Sequence, residues 1–310
     1  MKVIAVTGAQ GFVGSAVVHH LRTLGHTVIP VVRKSNGTFK NAVEWDITGS
    51  YEGSGLNADV VVHAAAKVDD WASYQKCYNV NVTGTKNVIN AFPSAKLFIY
   101  MSSASVYDPM NTERLITEKS PAGVHLLNSY SKTKYEGERM VLNSSVPSRV
   151  VVRPHIIYGP GDTTILPRLL KARRFGRFLV LGNGKNNISL TYIGNLTDAI
   201  SQIVMSDQIF GSKIFNVVDD VSDTVENVIN TLKFSLEINE KNLYIPKSLA
   251  NKIGMVLEKL YRFLRVQQSP LITPYLVDQM TSDHVLDCDM AKDSFGYNPE
   301  VNYREAFKAL

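Results

Sequence analysis

A chain of 310 residues, 45% hydrophobic and 20% charged, is long enough for one extended α/β domain or two sharing a crevice, and its composition excludes wholesale disorder. The net charge of +5 comes without a dense basic block; Arg33-Lys34 and the scatter of Lys171, Arg173, Arg174 and Arg177 are too small for a nucleic-acid footprint and suit a small anionic ligand. Cys77 and Cys288 lack the spacing of a disulfide framework or a zinc site, so no metal is expected and a reducing cytoplasm is the natural setting.

Met1-Lys2 leads straight into apolar Val3 to Val6, too short a run before its glycine turn for a signal peptide. No apolar stretch approaches the roughly 20 residues that span a bilayer, so no transmembrane segment is expected. The turn is Gly8-x-x-Gly11-x-x-Gly14, followed by helical periodicity from Ser15 to Leu24. Gly8 permits the tight turn, Gly11 lets backbone N–H groups approach a pyrophosphate, and Gly14 lets the helix pack close to the sheet. Gln10, Phe12 and Val13 lie in the same run and are candidate dinucleotide contacts with the three glycines. A second strand, Thr27 to Val32, ends in Arg33-Lys34. An acidic residue there would suit the ribose hydroxyls of NAD, and a basic one the 2′-phosphate of NADP. NADP(H) is therefore favoured with NAD(H) open, Arg33 being equally readable as a solvated charge.

Asp46-Ile47 is placed to reach an adenine edge, or is an ordinary loop pair. The strand Val60 to His63 ends in Ala64-Ala65-Ala66, whose small side chains admit a cofactor; the rival reading is a helix start without ligand contact. Val80 to Ala91 has helical periodicity and holds Asn81, a poor helix former that either ties down neighbouring loop backbone or takes part in the dinucleotide and catalytic site. The strand Leu97 to Met101 leads into Ser102-Ser103, and Tyr130-x-x-x-Lys134 follows. Tyrosine can pass a proton to or from a reacting oxygen if its pKa, ordinarily near 10, is lowered. Lys134, one helical turn on, would stabilise the phenolate and hold the nicotinamide ribose. Ser103 would hydrogen-bond the substrate oxygen, with Ser102 and Ser105 as register alternatives.

Strand Val150 to Val152 follows, with Pro154 and Ile157 completing the candidate dinucleotide contacts. Gly159-Pro160-Gly161, a helix over Leu166 to Phe175 and the turn Gly182-Asn183-Gly184 break the rhythm. Ile193 to Val204 reads as a helix and Ile214 to Val218 as the last sheet strand. Alternation of strands and helices predicts an α/β fold, a Rossmann-type doubly wound parallel sheet with a smaller C-terminal substrate domain. The division runs as 1–155 plus about 190–220 for the dinucleotide domain and about 156–189 plus 221–310 for the other. Lys247 to Val266 is amphipathic; it either packs on the domain or makes peripheral contact with a membrane.

Thr7 to Gly14, Ser102 to Tyr107 and Tyr130 to Lys134, together and in order, resemble the extended short-chain dehydrogenase/reductase family, the epimerase/dehydratase superfamily, over essentially the whole chain. By that resemblance Ser103, Tyr130 and Lys134 form a catalytic triad for hydride transfer to a small-molecule substrate, and a homodimer joined through a four-helix bundle is implied. Trp71 to Tyr74, Tyr78 to Thr85, Arg153 to Asp162, Leu166 to Leu170 and Leu190 to Asn195 look like its 3β-hydroxysteroid dehydrogenase-like branch. The pattern is especially similar to bacterial 2-alkyl-3-oxoalkanoate reductases, which use NADPH. This implies interconversion of a secondary alcohol and a ketone on a largely apolar substrate. The rival is a nucleotide-sugar 4-epimerase or 4-keto-sugar reductase, whose diphosphate-binding asparagine and arginine are matched here by Ile156 and Ile188, although Arg168, Lys171, Arg173 and Arg174 offer other phosphate contacts. A dinucleotide-sensing protein without turnover is the minor alternative; it would have no need of the triad.

Overall fold

Uninterrupted apolar β-branched runs, rather than alternating ones, make strands that are covered on both faces. In the computed structural model, which describes every residue except Ser54, Thr164, Phe175, Gln267 and Leu310, these runs become β1 (Val3–Thr7), β2 (Thr27–Val32), β3 (Val43–Glu44), β4 (Val60–His63), β5 (Leu97–Met101), β6 (Ser148–Pro154) and β7 (Ser212–Val217). They form one sheet in the order β7-β6-β5-β4-β1-β2-β3, with every pairing parallel. Ala5 pairs with Ile29 on one side and Val61 on the other. The chain winds outward in opposite directions from β1 and β4, so the carboxyl ends of those two strands flank the crevice where such sheets bind ligands.

The helices are α1 (Phe12–Thr23), α2 (Tyr74–Tyr78), α3 (Gly84–Ala91), α4 (Ser129–Leu142), α5 (Ile165–Leu170), α6 (Ile193–Met205), α7 (Val225–Ser235), α8 (Lys247–Phe263) and α9 (Pro274–Thr281), with α10 (Asp289–Phe295) and α11 (Tyr303–Ala306) near the end. Val17 and Leu21 of α1 and Leu196 and Ile200 of α6 pack with Ile4 and Val6 on one face of the sheet. Val88 of α3 and Val141 of α4 pack with Ala5, Val61 and Phe98 on the other. Each fully buried Val, Leu or Ile contributes about 1.5–3 kcal/mol, which makes this sandwich a firm platform for the crevice. Behind the crevice His63, fully buried, joins Thr7 (2.7 Å) to Thr85 (3.0 Å). Burial pushes it down to about 3, so it stays neutral and couples β1, β4 and α3 as a strut.

Two elements differ from the periodicity reading. The helix expected over Leu166 to Phe175 stops at Leu170, and Arg173–Arg174 instead pairs antiparallel with Arg177–Phe178. Gly176 between them adopts φ +68, the left-handed conformation a hairpin turn needs; Phe175 lies outside the described residues. Arg177–Leu181 also pairs in parallel with Lys241–Ile245. The second difference is that the helix expected from Val80 starts at Tyr74 and widens into a π-helical turn at Asn79–Thr83 before α3. Two further cores, one around Phe178, Ile188, Val225 and Ile229 and one around Leu181, Ala250, Ile272 and Val277, lie in the part beyond the sheet.

Candidate active site

The glycine run forms a close-packed cradle at the crevice. Gly8 has φ +68, and a Cβ there would lie 2.7 Å from Ala65 backbone atoms; at Gly14 it would lie 2.1 Å from the Gly8 carbonyl oxygen. Side chains are thus excluded at both positions by backbone, which cannot swing away. The Gly11 N–H donates to the Gly8 carbonyl (2.9 Å), and the first bond of α1 runs from Ser15 N–H to the Gly11 carbonyl (2.9 Å). The amides of Phe12, Val13 and Gly14 therefore have no acceptor within the helix, and no side chain caps it. Free amides at a helix N-terminus, on the positive end of its dipole, fit a pyrophosphate. Phe12, Val13, Ala64 and Ile157 form a partly buried apolar margin on the same core, next to buried Pro154 at the end of β6.

Gln10, Arg33, Lys34 and Asp46 are exposed at the β2 side. Gln10 donates to Asn36 (2.6 Å). Asp46 accepts from the Thr48 amide and hydroxyl, which hold its carboxyl below the usual range, with the Arg33 charge close enough to add to the effect. Ile47 is buried, its side chain filling the space beside Gly84. Ala64, Ala65 and Ala66 lie in irregular chain after β4 rather than at a helix start. The Ala65 amide donates to Thr7 Oγ1 (3.3 Å).

Asn81 occupies the π-helical turn, almost fully buried. Its Oδ1 accepts from the Lys67 amide (2.7 Å), and its Nδ2 donates to Thr133 Oγ1 (3.0 Å). It thereby ties the loop after β4 to α4, the helix that carries Tyr130 and Lys134. That helix is capped by Asn128, whose Oδ1 accepts from the Ser131 amide (2.8 Å). Ser103 stands just past the end of β5; its Oγ accepts from the Ser105 amide (3.2 Å) and lies near enough to the Tyr130 phenol to pull its pKa down. Tyr130 is half-buried; desolvation pushes its phenol up to about 12, with the neighbouring Ser103 hydroxyl pulling the other way. Lys134, 2% exposed, directs its Nζ to the Met101 carbonyl and lies 4.1 Å from the centre of the Tyr100 ring. Burial lowers it to about 7 against the opposing pull of Glu138. The lowered tyrosine pKa expected from the Tyr-x-x-x-Lys spacing is thus absent from this arrangement, because the ammonium faces β5 and burial dominates at the phenol.

Glu138 continues the Tyr130–Lys134 face by one more turn. Arg153 grips it with Nε (2.9 Å) and Nη2 (2.6 Å), and the Ser102 hydroxyl donates to it (2.5 Å). Both charges are buried, at 1% and 2% exposure. The Arg153 guanidinium stacks 4.7 Å from the centre of Tyr107, whose hydroxyl donates to Asn216 (2.6 Å). This chain fastens α4 to β5, β6 and β7 beneath the candidate triad. A carboxylate in a helix and an arginine in an apolar strand were visible signals, but their partnership was not, since it depends on the fold.

Beside Ser103 lies a recess lined by Ser105, Leu127, Ser131, Tyr275, Gln279 and His284. The buried Ser105 and Ser131 hydroxyls and Asn128 Nδ2 have no hydrogen-bond partner within the protein among the described residues. Such orphan groups cost free energy unless a water or a ligand meets them. His155, whose Nδ1 lies 2.7 Å from the Ser189 carbonyl and whose ring is 5.5 Å from that of His284, is pushed by burial down to about 4 and stays neutral at the back of the recess. α9 supplies Tyr275 and Gln279 from far along the chain, so no local motif marked them.

The profile of the NAD dependent epimerase/dehydratase family matches residues 4–217. The 2-alkyl-3-oxoalkanoate reductase of Shewanella oneidensis is 28% identical to the chain, over 98% of the chain and 84% of its own length. The decarboxylating sterol-4-alpha-carboxylate 3-dehydrogenase of Mus musculus is 27% identical over 98% and 89%. Among solved structures, UDP-glucose 4-epimerase from Thermotoga maritima superposes with a TM-score of 0.74 at 20% identity, covering 99% and 96% of the two chains, a likeness of fold.

Proposed function

The chain belongs to the NAD dependent epimerase/dehydratase family, and from that premise we propose that it reduces the ketone of a β-keto acid-like or 3-oxosteroid-like substrate to a secondary alcohol, with NADPH as the preferred dinucleotide. The observation that carries the reading is the Ser103–Tyr130 hydroxyl pair opening beside a recess with unpartnered Ser105 and Ser131 hydroxyls. Ser103 holds the reacting oxygen, and Tyr130 gives it the phenolic proton. Lys134, on the same helix face, turns from the Met101 carbonyl towards the ribose and phenolate. Ser105, Ser131 and Asn128 meet a polar head group next to the ketone. A bound nicotinamide dinucleotide supplies the hydride; the Gly8–Gly14 cradle and the α1 amides would hold its pyrophosphate, and Arg33 with Lys34 its 2′-phosphate. In this reading residues 1–155 and about 190–220 carry the dinucleotide, and the remainder closes over the substrate. The sugar-nucleotide reading is weaker: Ile188 is buried in an apolar core, and Arg173 is engaged by Glu240 (2.8 Å).

A panel of β-keto acids, steroids and UDP- or dTDP-hexoses, each offered with NADPH and NADH, tests this reading. The expected result is ketone reduction with NADPH, and an Arg33→Ala variant whose NADPH affinity falls about tenfold, as for loss of one charge-assisted bond, with NADH affinity unchanged. Epimerisation of a UDP-hexose without net change of cofactor would transfer the chain to the rival reading. A native preference for NADH would remove the role given to Arg33.

A further inference from the structure

Helix α8 has an apolar arc wider than the body of the protein covers. Ala250 and Gly254 are buried, and Gly254 is closely approached by the backbone of Thr273 and Pro274 at the start of α9. On the neighbouring side Leu249 (49% exposed), Val256 (64%), Leu260 (46%) and Phe263 (83%) face outward. Their spacing puts them in one line along the helix. Single exposed apolar residues are ordinary, whereas a contiguous stripe marks a surface that meets something.

The charges lie in register with that stripe. Lys252 follows Leu249 by one turn and precedes Val256 by another, and Lys259 stands likewise between Val256 and Phe263; both are exposed, and neither pairs with a carboxylate among the described residues. Residues 247–266 contain Lys247, Lys252, Lys259, Arg262 and Arg265 against a single acid, Glu258, and that acid is held by Arg262 (2.8 Å). The helix itself carries four of these cations, Lys247, Lys252, Lys259 and Arg262, against Glu258, a net charge of +3. A second copy of so basic a stripe would be repelled, while an anionic surface with an apolar interior satisfies both features. No helix among the described residues is long and apolar enough to cross a membrane. We propose that α8 docks in the plane of an anionic lipid bilayer, with Leu249, Val256, Leu260 and Phe263 in the acyl boundary and Lys252 and Lys259 among the head groups.

The position of the helix gives the contact a use. α8 packs on α9, whose Tyr275 and Gln279 line the recess beside Ser103. At its other end Arg262 stacks 4.6 Å over the Trp71 ring, and Trp71 Nε1 donates to the Val266 carbonyl (3.1 Å), joining α8 to the loop that Asn81 anchors. A bilayer beneath α8 would lie next to the recess, whatever substrate occupies it.

Co-sedimentation of the full chain with phosphatidylcholine vesicles, with and without phosphatidylglycerol, tests the proposal without reference to activity. The protein is expected to bind the anionic vesicles, to leave them as salt is raised, and to ignore the neutral ones. Lys252→Gln/Lys259→Gln should weaken binding about tenfold, and Leu260→Ser/Phe263→Ser by at least about tenfold, with thermal unfolding unchanged because all four side chains are exposed. Failure of the native chain to bind anionic vesicles would overturn the proposal, as would undiminished binding by the serine variant. A native dimer that becomes monomeric in the serine variant, with no vesicle binding by either, would assign the stripe to self-association instead.

Discussion

Replacing Tyr130 by Phe lowers kcat for ketone reduction by about 10²–10⁴-fold, the usual worth of a positioned proton donor, while the affinity for dinucleotide changes by less than about twofold. The variant keeps the ring and removes only the hydroxyl that neighbours Ser103. The pH dependence follows from the neighbouring lysine. Burial pushes Tyr130 up to about 12, so the phenol remains protonated through the accessible range and contributes no limb of its own. Lys134 is lowered to about 7; its charge is present below that pH and is lost as pH rises through it. A charged Lys134 favours the phenolate that proton donation leaves behind, so the rate of reduction is expected to be highest below about pH 7 and to fall above it. Lys134→Met should abolish that limb as well as slowing the reaction. Steady-state kinetics from acid to alkaline pH check both points, and a limb unaltered in Lys134→Met would show that another group titrates.

Arg153→Met destabilises the protein by about 3–5 kcal/mol, because it leaves the Glu138 carboxylate buried and uncompensated. Glu138→Gln leaves the guanidinium in the same position, with a comparable loss. The double variant Glu138→Gln/Arg153→Met should lose much less than the sum, since both singles remove one interaction. Urea unfolding of the four proteins measures the coupling. Additive losses would mean that the bidentate contact contributes no coupling energy. The same pair fixes α4 against β5 and β6, so the singles are also expected to loosen the site: kcat should fall more than KM rises, whereas a purely structural role would change only the unfolding midpoint.

The parts legible in the sequence are those governed by local backbone geometry. Gly8 and Gly14 were readable because a Cβ at either would strike backbone, and β1, β2, β4 and β5 because strands buried on both faces admit little but apolar residues. Tyr130 and Lys134 declared a shared helix face by their spacing, and α4 has that face. What the spacing could not convey was direction: Lys134 points at Met101 and Tyr100, a consequence of the buried surface of β5. The Glu138–Arg153–Tyr107–Asn216 chain joins residues from α4, β6, the turn after β5 and β7, and the recess borrows Tyr275, Gln279 and His284 from the end of the chain. Neither has a local signature. The hairpin at Arg173–Leu181 was hidden for another reason, since its first strand, Arg173–Arg174, is too short and polar to show the alternation of a sheet, and it follows directly on the helical spacing of Leu166, Leu169 and Leu170.

The amphipathic pattern of Lys247–Val266 was equally plain, yet periodicity alone could not separate a packed helix from a surface-seeking one. The structure divides the apolar arc, with Ala250 and Gly254 against α9 and Leu249, Val256, Leu260 and Phe263 outward. The packed reading accounts for the inner side of the helix, and the outer side is the surface on which the bilayer proposal rests.

The central claim, that the Ser103–Tyr130–Lys134 constellation holds a ketone oxygen and protonates it as a bound nicotinamide dinucleotide delivers hydride to the carbon, is tested most directly by following isotope. With NADPH deuterated at C4 and a 2-alkyl-3-oxo acid as substrate, the expected product is an alcohol with deuterium on the carbinol carbon, one dinucleotide oxidised per alcohol formed, and almost none of it in Tyr130→Phe. Absence of label from every ketone tried, with a UDP-hexose epimerised while the cofactor stays unchanged, would contradict the account.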